Sequence, residues 1–578
     1  MVRTGSVALP AAGGSNRFGS ARTGVAGPPN RRRGTPELAV PIATNHPDPS
    51  EDAQNAAGSR FVGGQLSPTY CHKGSRVCGG FADCARTAGG PPPAEQAAPE
   101  EAVRPFEEIP GPKGLPFIGT ALDYSPFGRF PLHTKLGDST IERYKTYGKI
   151  YREKLGRGQE MVFVCDPKDI ATVFRSDGRL PERPPVNSLA TYRQMRKKPH
   201  GLGNLMGEEW YRVRSSVNKG MMRPKSVGVY APLQDEVSRD LAALIQTVVR
   251  KGDSGGQVNN FMNLLHTWGL ESLSLVVLGK RLGCLTLDQL AEDSDAQRMI
   301  SAVPEFFLYF AKLEMSLPLY KYISTPTWKK FVRAMDTMNG VAEKMIREKL
   351  AELRKMEEPP EETDFLASLL SQKDMTLDEV VMMAIELLSG AVDSTADTLA
   401  FNLYCLAKNP GAQQKLYEEI MEVVPPGQPI DDRVLNNMPY LRAGVKETFR
   451  LYPTAFFNAR TLTRDAVLAG YRVPAKTQVI MANNVIGTLP EYYPEPDTYK
   501  PERWLRNEST NVQAFALLPF GYGARMCIGR RFAEQEVFLG LIRIIQKFHV
   551  GWDGEDMKQI YKIFNAPDRD TFIFRERQ

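Results

Sequence analysis

The chain has 578 residues, 42% of them hydrophobic and 24% charged, with a formal net charge of +6. That balance is ordinary for a globular protein and excludes a collagen-like, wholly disordered or disulfide-framework chain. A net +6 over this length carries no nucleic-acid signature. Seven scattered cysteines suit a reducing compartment.

Residues 1–105 hold 15 Gly and 13 Pro but only four aromatics, Phe18, Phe61, Tyr70 and Phe81. Such a stretch cannot bury enough apolar surface to offset the entropy of ordering its backbone. Residues 1–104 therefore read as a low-complexity segment. The first 36 residues carry six arginines (Arg3, Arg17, Arg22, Arg31, Arg32, Arg33) and no acid. Arg-rich, acid-free and Ser-containing composition is that of a mitochondrial presequence, and the run SVALPAAGG is too weakly apolar for a secretory signal. Plain disorder or a misassigned start is the alternative. Cys71, Cys78 and Cys84, beside His72, match no tight zinc spacing and read as unpaired thiols. No window approaches ~18–20 uninterrupted apolar residues, so no transmembrane helix is expected.

From Pro105 the texture changes. Pro110, Pro112 and Pro116 make a stiff extended lead-in. Apolar spacing predicts helices over 138–147, 206–223, 231–251, 259–278, 327–357, 376–408, 410–424 and 436–451, then a strongly apolar one over 532–548. Short β-branched runs predict strands at 149–155, 161–166, 466–474, 477–484 and 570–574. At roughly 150 residues per domain the length suggests three or four domains. The pattern instead favours one large domain over 105–578, mainly α with small β-sheets. The aromatic run 303–322, with Phe306, Phe307, Tyr309 and Phe310, fits either core packing or contact with a membrane surface.

The sharpest signal is Phe520-Gly521-Tyr522-Gly523-Ala524-Arg525-Met526-Cys527-Ile528-Gly529-Arg530-Arg531, a glycine-rich turn entering the last long helix. Cys527 falls just before the helix start, where backbone N–H groups and the helix dipole favour a thiolate, the form that ligates metal. Gly523 and Gly529 let backbone approach the sulfur, and Arg525 suits an anion.

Phe520, Gly523, Arg525, Cys527 and Gly529 fill every fixed position of F-x-x-G-x-R-x-C-x-G. The chain thus resembles the cytochrome P450 family over 105–578. The resemblance implies a single cytochrome P450-type domain holding heme b, with the Cys527 thiolate as axial iron ligand. Glu447 and Arg450, with Arg503 of PERW, resemble the family's buried structural triad. Trp210, Arg214, Arg460 and Arg525 match residues that hold the haem propionates. Gly390-Ala391-Val392-Asp393-Ser394-Thr395 resembles the oxygen-side motif, which locally breaks the long central helix. Two departures stand there: Ala391 for glycine and Ser394 for threonine. Asp393 and Ser394 would relay protons, with Thr395 as an alternative donor.

The Arg-rich leader and the absence of an N-terminal apolar helix point to the mitochondrial-type branch of animals. That branch takes electrons from an adrenodoxin-type ferredoxin. Arg442 and Lys446 match its basic docking pair, widened by Arg530 and Arg531. The implied reaction is monooxygenation of a lipophilic steroid, sterol or xenobiotic, on the matrix side of the inner membrane and peripheral to it. Segments 185–206, 303–322, 384–390, 454–458 and 565–574 would line the pocket, with Phe456 and Phe457 as its roof. The alternative is a haem-binding protein that is not a monooxygenase, either an isomerase or dehydratase or a ligand sensor.

Overall fold

A computed structural model describes residues 103–156, 159–252, 255–291, 293–356, 364–424, 427–506 and 512–578. The leader, almost all of the 1–104 segment, and Cys71, Cys78 and Cys84 lie outside the described residues. Those described fall within one compact unit, Glu95–Gln578.

The chain opens with α1 (Leu132–Tyr147), the hairpin β1 (Ile150–Leu155) and β2 (Gln159–Val164), then α2 (Pro167–Ser176) and α3 (Asn187–Arg196). Next come α4 (Gly207–Met222), α5 (Pro224–Gly228), α6 (Ala231–Lys251), β3 (Gln257–Val258), α7 (Phe261–Leu278) and α8 (Leu287–Ala291). The middle is α9 (Asp295–Glu314), α10 (Pro326–Leu353), α11 (Phe365–Leu370), α12 (Leu377–Lys408), α13 (Pro410–Val423), α14 (Asp432–Asn436) and α15 (Pro439–Leu451). Strands β4 (Phe457–Thr461), β5 (Ala466–Leu468), β6 (Tyr471–Val473) and β7 (Gln478–Ala482) follow, with the short α16 (Asn483–Ile486). The chain ends with α17 (Arg530–Lys547), β8 (Phe548–Gly551), β9 (Gln559–Lys562), β10 (Phe564–Pro567) and β11 (Phe572–Glu576). The largest sheet has the order β1-β2-β7-β4, with β2 and β7 parallel.

The fold is mainly α with small sheets, as the pattern predicts. Helix α12 forms its axis. It starts on a capping box, in which the Thr376 hydroxyl accepts from Glu379 N–H and the Glu379 carboxylate accepts from Thr376 N–H. Its neighbours α7, α10 and α17 bury nearly all of it. Helix α7 is long and apolar enough to cross a membrane, but 89% of it is buried, so it is a core helix. The aromatic run divides along its length. Phe306 and Phe307 are buried in the core, against Phe331 and Phe564. Beyond them Leu319, Tyr322 and Ile323 are exposed.

Several elements differ from the sequence expectation. The helix read over 436–451 is α15 and starts three residues later than expected, because Pro439 takes its first position; the short α14 ends at Asn436 just before it. Helix α9 carries Pro304 in its interior, which masks its period. Arg460 lies within β4, just ahead of the β5–β6 pair.

Candidate active site

The glycine-rich turn is closed by its own backbone. Cys527 N–H donates to Phe520 O at 2.9 Å, Met526 N–H to Gly523 O at 3.0 Å, and Gly521 N–H to Leu518 O at 3.1 Å. Gly521 and Gly523 hold φ of +70° and +76°, a region a side chain strains. Gly529 caps α17, so Cys527 precedes the helix by two residues. The Cys527 side chain is open by area although protein surrounds it, so it faces an interior hollow. Burial holds its thiol above the ordinary value. The N–H groups of Gly529 and Arg530 and the charges of Arg214 and Arg183 pull the other way. The lowering expected from the helix start alone is therefore outweighed by desolvation.

Four guanidiniums converge near this sulfur. Arg460 is 2% exposed; its Nε donates to Asp177 Oδ2 at 2.7 Å and its Nη2 to Tyr522 O at 3.0 Å. Arg525 is 3% exposed and stacks on Trp210 at 4.1 Å; its Nε donates to Pro181 O and its Nη2 to Leu205 O. Arg214, on α4 one turn beyond Trp210, is buried and makes no hydrogen bond or ion pair among the described residues. Arg183, half-buried, donates to Arg525 O.

Burial and mutual repulsion push Arg525 down to about 9 and Arg183 to about 10; burial alone takes Arg214 to about 10. Asp177 is the carboxylate among them, and burial raises its own pKa. Buried Arg214 Nε and Arg525 Nη1 lack any partner. Unpaired buried cations are costly, so this cluster is built for an anion with more than one negative charge. A haem with two propionates beside a cysteine sulfur fits these residues. Arg183 and Asp177 were not foreseen, since neither stands at a telling spacing from the other residues.

On the other side, α12 runs as one helix through Gly390–Thr395, without the expected local break. Ser394 Oγ donates to Gly390 O at 2.8 Å, a bond within the helix. Between Met382 and Leu406 every residue is buried except Glu386, Gly390, Ala391 and Ser394. These share one face at i, i+4, i+5 and i+8. Asp393 points elsewhere: its Oδ1 lies 3.0 Å from His266 Nε2 on α7. Thr395 is also off that face, turned toward Glu536 without a well-aligned bond. Asp393 and Ser394 are thus adjacent in sequence but not aimed at one point.

Glu536, nine residues after Cys527, accepts from Gln234 Nε2 at 2.9 Å and Ser272 Oγ at 2.8 Å. Full burial pushes its carboxyl up to about 7. Relative to an ordinary 4.5, this favours the protonated form, so its contribution to stability is full below 4.5 and is lost as pH rises through about 7. Glu536→Gln should remove that loss, on the order of 3 kcal/mol. Unfolding free energies compared between acid and mildly alkaline buffer will check it.

The triad is assembled and dry. Glu447 Oε1 accepts from Arg450 Nη2 at 2.8 Å, Arg503 Nε at 2.9 Å and Lys500 N–H at 3.0 Å. Its Oε2 accepts from Arg450 Nε at 3.0 Å and Trp504 Nε1 at 2.8 Å. Of the basic residues, Lys446 is exposed, while half-buried Arg442 donates to Leu435 O and Asn436 Oδ1. Arg530 pairs with Glu534, and Arg531 donates to Met222 O.

Residues 109–572 match the family model for cytochrome P450. The chain belongs to the cytochrome P450 family. A "Probable cytochrome P450 CYP44" of Caenorhabditis elegans is 34% identical over 83% of this chain and 96% of the relative. The "Probable cytochrome P450 12a5, mitochondrial" of Drosophila melanogaster is 36% identical over 78% and 86%. The mitochondrial 1,25-dihydroxyvitamin D(3) 24-hydroxylase of Mus musculus is 33% identical over 82% and 89%. These relatives place the chain in the mitochondrial-type branch of animals. It is therefore a cytochrome P450 monooxygenase, a haem-thiolate oxidoreductase.

Proposed function

We propose that this P450 hydroxylates a lipophilic, sterol-like substrate (RH + O₂ + 2e⁻ + 2H⁺ → ROH + H₂O) with electrons from an adrenodoxin-type ferredoxin. The observation that carries this reading is the cluster of guanidinium groups beside Cys527, in which Arg214 Nε and Arg525 Nη1 are buried without a partner. Arg183, Arg214, Arg460 and Arg525 would hold the propionates, with Trp210 backing Arg525, and the Cys527 sulfur would bind the iron. Bound there, haem supplies oxygen activation, which a thiolate ligand promotes. Ser394, on the open face of α12, is the proton donor; Asp393, turned to His266, and Thr395, turned to Glu536, stand off. Glu447, Arg450 and Arg503 hold the loop beneath.

The mouse relative acts, by its name, on a vitamin D derivative, which favours a sterol-like substrate. Mitochondrial names among the relatives, together with the Arg-rich leader in 1–104, support targeting to that organelle. Peripheral contact with the inner membrane finds support in two apolar loops. Phe117 and Phe127 are 93% and 100% exposed in one, and Leu319 and Ile323 are exposed in the other. The loops meet at Gly156, where an added Cβ would lie 3.1 Å from Leu317 Cδ2 and 3.7 Å from Phe117 O.

Reconstitution with NADPH, ferredoxin reductase and ferredoxin tests the reading. Product that forms without electrons would favour an isomerase or dehydratase instead. Reversing charge at Arg442 and Lys446 should raise the ferredoxin KM about tenfold or more at low salt, and less at high salt. Lys446 should carry most of the effect, being the freer of the two. An unchanged KM would exclude this docking face.

A further inference from the structure

We propose that Glu386 is the polar anchor of the substrate cavity and selects a lipophile bearing a hydroxyl group remote from the carbon that is oxidised. This rests on the monooxygenase reading and names the chemistry of its substrate. Glu386 is the charged member of the open face of α12, just over two turns before Ser394 and about 80° around the helix from it. Eight residues at about 1.5 Å each put the two about 12 Å apart along the axis, so the anchor lies well away from the proton donor.

The carboxylate is held from behind. Arg193 of α3, 3% exposed, pairs with Glu386 Oε1, and Gly203 N–H donates to Oε2 at 3.3 Å. Gly201 lies against it so closely that an added Cβ would stand 2.1 Å from Oε1. The same segment is tied at both ends by Arg525, through Pro181 O and Leu205 O, so it wraps the site that holds the arginine cluster. Glu386 keeps 21% of its side chain open while its counter-charge is sealed.

An ionised carboxylate only accepts hydrogen bonds, and has about four acceptor sites, of which two are used here. A hydroxyl can fill a free one and adds no charge. A cation would leave the already neutral Arg193–Glu386 pair with a net buried charge. A ketone would set lone pairs against lone pairs, which rejects it.

The test uses four probes of one skeleton: 5α-androstane, 5α-androstan-3β-ol, 5α-androstan-3-one and 3β-amino-5α-androstane. Dissociation constants are read from the absorption shift of the ferric haem protein. The alcohol should bind about tenfold tighter than the ketone or the hydrocarbon. In Glu386→Gln the amide also donates, so the alcohol-to-ketone ratio should fall to about one. Should Arg193 left without its partner unfold that variant, Arg193→Gln/Glu386→Gln removes both charges and should give the same ratio.

A ratio that is the same in wild type and variant overturns the proposal. So does an amine that binds tighter than the alcohol. Failure of every probe to shift the spectrum also overturns it, provided the reduced carbon monoxide complex keeps its thiolate band. Absence of that band in the wild type sinks the haem-thiolate reading itself, a distinguishable failure.

Discussion

Glu447→Gln should cost about 3–5 kcal/mol, enough to leave little folded, haem-loaded protein. The carboxylate accepts five hydrogen bonds, from Arg450, Arg503, Lys500 and Trp504, at zero exposure. Arg450 in turn binds Gly487 O, Pro496 O and Thr498 O, and Arg503 binds Pro494 O. The amide removes the negative charge that two buried guanidiniums share, and it puts N–H groups against donors. The irregular stretch 487–504 then loses its tie to α15. Denaturant unfolding of the variant measures the loss. A cost below about 1 kcal/mol would show that the triad is not what holds this stretch.

Ser394→Ala should uncouple electron use from hydroxylation, with roughly tenfold more NADPH oxidised per product and peroxide released in its place. Ser394 is the hydroxyl on the open face of α12, whereas Thr395 is buried and turned toward Glu536. Its hydrogen bond to Gly390 O must break before it can donate outward, and serine, without a β-methyl, rotates easily enough to do so. Substrate affinity should stay within about twofold, since one hydroxyl on that face is a small loss. NADPH, peroxide and product measured together will decide. Full coupling in Ser394→Ala would pass the role to Thr395 or to solvent.

The parts of the site legible in the sequence are those written in short spacings. The turn before α17 shows itself because Gly521 and Gly523 need left-handed backbone. Glu447 and Arg450 show themselves at i, i+3 on an apolar helix. What escaped is set by contacts across hundreds of residues. Arg183 reaches Arg525, His266 reaches Asp393, and Glu536 meets Gln234, with no local pattern to announce any of them. The same holds for elements. Long helices such as α6 and α12 carry a clear period, whereas β4 and β9 are too short for alternation to register. Helix α2 has no clear start in the sequence, because its Asp166 cap and Pro167 follow a strand-like run without a break. The thiol of Cys527 shows the limit of local reasoning: its helix start favours thiolate, yet burial outweighs that contribution.

The Cys527 sulfur, beside the arginine cluster, is the ligand of the haem iron. The most direct measurement is the absorption spectrum of the reduced carbon monoxide complex of the purified protein and of Cys527→His. The wild type should show the red-shifted band that thiolate ligation gives, and the variant should bind haem without it. The same band persisting in Cys527→His would contradict the claim.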